Sequence, residues 1–459
     1  MALDLLLANA RLVMPGVGVV PGSIGVREGR IAAILDHDER IAAGHTIDCE
    51  GLWLMPGLID PHVHFGFGSA ETDWQTESRS AALGGVTSVL SFHRAPDFRD
   101  SVDALIARAE SQSVVDFGLH LGLTSRLHVD TLADVSQRFG INSYKLYLMY
   151  KGAAGAAKGF TEIDDGLLFA ALEAVREISG GVLGVHCENV EVIPVLRDRL
   201  RRAGRADPAV WDAQSPDFLE AENVHRVCYF ASKTGCPVNI VHLSSREALD
   251  EVRRHRLGSR VPVHVETCPH YLSMTRDTEA GVLAKVNPPL RTQADIDALW
   301  DGVVDGAVTT IGTDHVPRKR ATKREIWSST NGFPGVATML PVLLHEGVHR
   351  RGVGVEQIAA LTAGAVARQY GIARKGQLAV GFDADIVLVD LDLERVVDPA
   401  RLGSFADYSP YEGRRLKGWP VRTFVRGREI MRDGEITVED DDAGGRFVRR
   451  LPVLQEKSA

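Results

Sequence analysis

Long apolar runs are missing from this sequence. No stretch of about eighteen consecutive apolar residues occurs, so no membrane-spanning helix is expected. Paired cysteines are missing too. Cys49, Cys187, Cys228, Cys236 and Cys268 form no Cys-x-x-Cys pair and no regular framework. That excludes a disulfide scaffold and reads as reduced thiols in a cytoplasmic protein. Positive charge is in deficit. The net charge is −9 and no lysine- or arginine-rich block stands out, so nucleic acid is not an expected partner. The N-terminus lacks a basic lead and carries Asp4 instead, so it does not read as a secretory signal. What is present is ordinary for a soluble globular protein: 459 residues, 44% hydrophobic and 25% charged. That length is too great for one compact core and predicts two or three domains.

Residues 1–55 hold short apolar runs broken by glycine and proline, among them Leu5-Leu-Leu-Ala-Asn and Leu52-Trp-Leu-Met. This is the texture of a small β-rich unit. It returns in residues 375–443, in Asp385-Ile-Val-Leu-Val-Asp and Val421-Arg-Thr-Phe-Val-Arg-Gly. The two ends are expected to pair into one β-sandwich domain, with two separate small sheets as the alternative. From Gly444 to residue 459 the chain is mixed and charged, in the manner of a poorly ordered tail.

The middle, 56–374, alternates two periodicities. Eight strand-like stretches begin with Gly57-Leu-Ile-Asp and end with Val308-Thr-Thr-Ile-Gly-Thr-Asp. Helix-period segments such as Val102–Gln112, Gly166–Ile178, Ala221–Thr234 and Ala294–Gly302 lie between them. Eight alternating units predict an α/β fold, a (β/α)8 TIM-like barrel, in which chemistry sits at the C-terminal ends of the strands.

The polar residues obey that rule. His62 and His64 end the first strand, and their i, i+2 spacing puts both imidazoles on one face. Lys145 lies in the fourth strand, His186 ends the fifth, His242 the sixth and Asp314 the eighth. A lone histidine here would read as a hydrogen-bonded core residue. Six such groups at strand ends point instead to one barrel mouth. Imidazole and carboxylate ligands suit zinc, and also manganese, cobalt or nickel.

These motifs, in this order, resemble the amidohydrolase superfamily in its cyclic-amidohydrolase branch of hydantoinases, dihydropyrimidinases, allantoinases and dihydroorotases. The similarity runs from Leu54-Met-Pro-Gly-Leu-Ile-Asp-Pro-His-Val-His to Gly427-Arg-Glu-Ile-Met-Arg-Asp-Gly-Glu. Ser143-Tyr-Lys-Leu-Tyr-Leu-Met-Tyr-Lys-Gly resembles the hydantoinase segment that carries a carboxylated lysine. The resemblance implies two divalent ions, zinc foremost. His62 and His64 would bind the buried ion and His186 and His242 the more exposed one. Carboxylated Lys145 would bridge them, and Asp314 would complete the first ion's ligands. A free ammonium has no lone pair for this task, whereas a carbamate offers two anionic oxygens. The resemblance further implies attack of a metal-bridging hydroxide on a ring amide, with Asp314 as general base and then general acid. Tyr150, five residues after Lys145, would donate to the developing oxyanion.

Substrate contacts are implied at Asn287, in Asn287-Pro-Pro-Leu-Arg, and at Asn331, in Asn331-Gly-Phe-Pro-Gly, although both segments also read as simple turns. Dihydroorotases follow the histidine pair with an arginine that holds the substrate carboxylate. Here Phe65 and Phe67 follow instead, which suggests an apolar lining at the ring substituent. On that ground a small cyclic amide with a neutral substituent is expected to be preferred over dihydroorotate, unless Arg291 or Arg318 supplies a cation from another strand end. The segments from Lys145 to Tyr150 and from Tyr411 to Pro420 look hydantoinase-like, whereas Asn287 and Asp314-His-Val-Pro-Arg lean to other branches. The reading is therefore a hydantoinase- or dihydropyrimidinase-like ring opener. An allantoinase or dihydroorotase is the alternative, followed by a non-catalytic relative resembling the neuronal collapsin-response proteins. The family implies a homotetramer or homodimer.

Overall fold

In the computed structural model, which describes residues 2–450 apart from 37, 38, 40 and 159, the alternating apolar residues of the N-terminal segment form strands. These are β1 (Leu3–Met14), β2 (Gly18–Arg27), β3 (Arg30–Leu35), β4 (Ala43–Asp48) and β5 (Trp53–Pro56). β1 pairs antiparallel with β2, and parallel with β4 and β5.

One residue beyond β5 the chain enters the barrel. Its strands are β6 (Leu58–Val63), β7 (Val86–His93), β8 (Asp116–Leu123), β9 (Ser143–Tyr147), β10 (Val182–His186), β11 (Val238–Ile240), β12 (Val263–Thr267) and β13 (Thr310–Ile311). They form one parallel sheet in sequential order. Buried on both faces, they are rich in valine, leucine and isoleucine, as parallel strands covered by helices must be. Between the last strand and the first, closure is made by side chains and a bridge. Asp60 Oδ1 accepts from the Thr313 N–H at 3.0 Å, Asp60 Oδ2 from the Thr313 hydroxyl at 2.5 Å, and Val63 bridges His315.

The chain then returns to the first sheet as β14 (Ile386–Val396), β15 (Arg415–Val425), β16 (Arg428–Arg432) and β17 (Glu435–Ile436). β14 lies antiparallel to β5, with Leu54 opposite Leu388 and Met55 opposite Val387. Both chain ends thus share a nine-stranded sheet, whose core includes Leu12, Ile24, Leu54, Ile386 and Phe424.

The expected loose tail is not what residues 444–450 form. Gly445 N–H donates to the Ser113 carbonyl at 2.8 Å, and Phe447 bridges Phe117. Arg450 is buried and donates to Ser143 Oγ at 2.7 Å. Its charge made the segment look solvated, yet a long arginine side chain buries its stem while its head finds acceptors. Residues 451–459 lie outside the described residues.

All five cysteines are buried and unpaired by disulfides. No helix among the described residues is long and apolar enough to cross a membrane.

Sheet and barrel are joined by a buried ionic cluster. Lys375 Nζ meets Asp116 at 2.7 Å, at the start of β8, and also pairs with Asp385, while Arg426 pairs with Asp116. Removing one member of such a cluster leaves its partners charged and dry. Lys375→Met is expected to destabilise the protein by about 3–5 kcal/mol, read by denaturant unfolding. A loss below about 1 kcal/mol, typical of an exposed pair, would refute a structural role for the cluster.

Candidate metal centre

The mouth of the barrel collects residues that are far apart in sequence. β6 delivers His62 and His64, and both Nε2 atoms face Asp314 Oδ1, at 3.1 and 3.0 Å. The ligand atoms of these three buried residues lie within 4.8 Å of one another, close enough to hold one metal ion. Lys145 Nζ, from β9, sits 3.3 Å from His62 Nε2 and 3.4 Å from His242 Nε2, with the Phe92 ring centroid 4.6 Å away. The His242 and His186 rings are edge to face at 4.4 Å. All six sequence-selected groups therefore converge, in two subsets with Lys145 between them.

The expected strands are longer than the ladders observed. β11 ends at Ile240 and β13 at Ile311, so His242 and Asp314 stand beyond them. Both have positive φ, 40° and 49°, in the left-handed region that costs a non-glycine residue on the order of 1–3 kcal/mol. Such strain persists only where the surroundings impose it, and here it turns both side chains into the mouth.

Two carboxylates that the sequence reading passed over orient the histidines. Glu266 Oε1 lies 2.5 Å from His62 Nδ1, and Glu188 Oε2 lies 2.7 Å from His186 Nε2. Such partners hold a ring in position and leave its other nitrogen for a ligand. The signal was present: Glu188 is two residues after His186, and Glu266 is on the seventh barrel strand.

The electrostatics fit a cation. Burial pushes His64 down to about 4 and also lowers His186 and His242. Neutral imidazoles keep the lone pair that a metal needs; His62 is the exception, since against the lowering effects of burial and Lys145, Glu266 and Asp314 raise it overall. Burial opposes the Asp314 carboxylate ion, yet His62 and His64 hold it well below the usual carboxylate range. Burial also brings the Lys145 ammonium down to about 8, so a neutral amine is within reach of physiological pH.

Above these groups opens a cavity of about 330 Å³. Tyr150, Asn287 and Asn331 line it, as expected of substrate contacts. Tyr150 stacks on Phe160 at 4.7 Å, Asn287 Oδ1 accepts from Trp211 Nε1 at 2.9 Å, and Asn331 Oδ1 has no protein partner among the described residues. Tyr147, unforeseen, also lines the cavity, and its hydroxyl has no partner among the described residues. Two buried lysines secure the wall. Lys285 Nζ donates to the Ser329 carbonyl at 2.6 Å, and Lys323 Nζ to the Gly332 carbonyl at 2.7 Å.

Phe65 is a correction. Its side chain is 5% exposed and packs against Trp74 at 5.2 Å, away from the cavity, because it points into the core where Phe67 points out. Phe67 does line the cavity, but two arginines accompany it, Arg94 and Arg318. Arg291 is not available, being buried against Asp212 at 2.7 Å and Glu220 at 3.5 Å. An apolar lining at the substituent, and the preference for neutral substituents drawn from it, therefore loses its basis.

A barrel with this mouth, closed over imidazoles, a carboxylate and a buried lysine, defines a class of metal-dependent hydrolases. Residues 53–430 match the amidohydrolase family. This chain belongs to that family, in its cyclic-amidohydrolase branch. It is 34% identical to the allantoinase of Solibacter usitatus, over 95% of each chain. It is 31% identical to the L-hydantoinase of Paenarthrobacter aurescens, over 97% of this chain and 98% of that one. The solved L-hydantoinase (dihydropyrimidinase) from Arthrobacter aurescens superposes with a TM-score of 0.90 at 29% identity, covering 98% of this chain and all of that one.

If Lys145 is the bridging group, Lys145→Ala should lose its bound metal, measured by elemental analysis, together with turnover. Small carboxylic acids added to the variant should restore part of both by replacing the bridge. Full metal content in the variant would remove Lys145 from the centre.

Proposed function

We propose that this protein hydrolyses an amide bond of a cyclic ureide or imide, in the manner of a hydantoinase or dihydropyrimidinase. The observation that carries the reading is the convergence of His62, His64, His186, His242, Asp314 and Lys145 at one cavity. His62, His64 and Asp314 would hold one divalent ion, His186 and His242 a second, and Lys145 as its carbamate would lie between them. Zinc is the first choice for this donor set, with manganese, cobalt or nickel as alternatives. Once bound, the ions supply an acidified water and a Lewis acid for the amide carbonyl.

The chain's own groups do the rest. Asp314, kept ionised by His62 and His64, accepts a proton at its carboxylate and delivers it to the departing ring nitrogen. Tyr150 lines the cavity, and its hydroxyl would donate to the carbonyl oxygen as negative charge develops there. Asn287 and Asn331, which line the cavity, would contact the ring amides through their backbone. The carbamate needs a neutral amine to react with carbon dioxide, and burial of Lys145 favours that form. The same reading makes the protein a cytoplasmic homotetramer or homodimer acting on a small molecule.

The test is a ring-opening panel on metal-loaded enzyme: 5-substituted hydantoins and dihydrouracil against allantoin and dihydroorotate. Allantoin is a serious competitor because an allantoinase is among the similar proteins. Turnover of none of these substrates would overturn the proposal. Asp314→Asn should retain the fold by circular dichroism and lose roughly 10²–10⁴-fold in kcat, the usual contribution of a positioned acid–base group. A variant with near-normal turnover would take Asp314 out of the proton transfer.

A further inference from the structure

The charge balance of the cavity is lopsided. Among the described residues Asp314 is its one acidic lining residue, and it is already engaged by His62 and His64. Two guanidinium groups, Arg94 and Arg318, line it with no carboxylate partner among the described residues. Arg94 comes from the exit of β7 and Arg318 from the segment after β13. They flank the same ring, with Arg94 Cζ 4.8 Å and Arg318 Cζ 5.9 Å from the Phe67 centroid.

Neither arginine is spent on structure. Arg94 lies over three aromatic rings, Phe67, Phe160 at 5.4 Å and Tyr147 at 5.6 Å. Cation–π attraction to these rings holds the guanidinium, and its N–H donors make no hydrogen bond among the described residues. Arg318 gives one N–H to the Phe67 carbonyl at 2.9 Å, while its buried Nε–H has no partner among the described residues. Asp73 acts on Arg318 only through space, since its oxygens take the Gly66, Gly68 and Ser69 N–H groups. Both arginines are half-buried, and a partly desolvated cation without a counter-charge is well placed to pair with an anion that a ligand supplies.

We propose that Arg94 and Arg318 form the substituent pocket of this site and select ring substrates whose side chain carries a carboxylate. This rests on the ring-opening reading and names its substrate class. The reach is suitable. Arg94 Cζ and Lys145 Nζ lie about 5.5 Å from the same Tyr147 centroid, hence no more than about 11 Å apart. A five- or six-membered ring with a short acidic side chain spans that interval. A planar carboxylate meets a guanidinium edge through two parallel hydrogen bonds, which gives orientation as well as affinity.

The decisive comparison is 5-carboxymethylhydantoin against 5-carbamoylmethylhydantoin, which have nearly the same shape and differ in charge. Wild-type enzyme is expected to favour the acid by at least about tenfold in kcat/KM, mainly through KM. Arg94→Met and Arg318→Met should each cut the acid-to-amide ratio several-fold, and added salt should reduce it in the wild type. Equal or better turnover of the amide by the wild type would overturn the proposal, whether or not the variants fold. Binding calorimetry of the same pair separates this failure from failure of the ring-opening reading. An enzyme that opens no ring yet binds the acid at least about tenfold more tightly keeps the pocket and loses the reaction. One that opens rings without distinguishing acid from amide does the reverse.

Discussion

The seam between the first and last barrel strands is the constraint on which the site depends. Asp60 makes it. Its carboxylate accepts the His62 and Thr313 N–H groups, both at 3.0 Å, and the Thr313 hydroxyl. These bonds fix the chain immediately before His62 against the chain immediately before Asp314, two segments some 250 residues apart in sequence. The histidine pair and the aspartate face one another because the barrel closes here. Burial pushes the Asp60 carboxyl up to about 6, although its hydrogen bonds to Thr313 and His62 pull the other way. His315 continues the seam. It bridges Val63 and Phe333 through its backbone, and its ring meets Glu77 at 2.8 Å.

From that seam outward the mouth becomes progressively less acidic. At the floor, Glu266, Glu188 and Asp314 attend the imidazoles. One layer up, Lys285 and Lys323 are buried and donate only to carbonyl oxygens. Burial brings Lys285 down to about 8. It brings Lys323 down to about 7, with Lys285 and Arg318 adding to the effect. At the rim stand Arg94 and Arg318. An electronegative floor suits cations, and an electropositive rim suits an anionic group entering from solvent.

Sheet and barrel are coupled at the opposite end. Lys375, Asp116, Asp385 and Arg426 form one buried network, and residues 444–450 run along the base of the barrel to place Arg450 against Ser143. β9, which carries Lys145 toward the mouth, therefore begins at a residue held by the chain's own C-terminal segment. Two residues further along the same strand, Nζ of Lys145 lies between His62 and His242.

The barrel and the ligand types could be read in the sequence because they depend on local rules. Period-two and period-3.6 apolar patterns define strands and helices, and a polar residue at a strand end faces the mouth wherever that strand sits in the ring. His62, His64, Lys145, His186, His242 and Asp314 were legible on those grounds, and the paired chain ends on theirs. Phe65 and Phe67 were not separable, since alternation says that two residues share a face in an extended strand but not what a turn does after Gly66, where φ is 94°. Phe65 went to the core and Phe67 to the cavity. Arg318 and Arg291 looked equivalent as charges beyond strand ends, and Arg94 went unremarked. Only packing decided that Asp212 and Glu220 claim Arg291 while aromatic rings hold Arg94 open to the cavity. Sequence spacing settles which groups can reach the mouth; which of them remain unpaired once there depends on neighbours drawn from other strands, because electrostatic pairing is a property of distance in space.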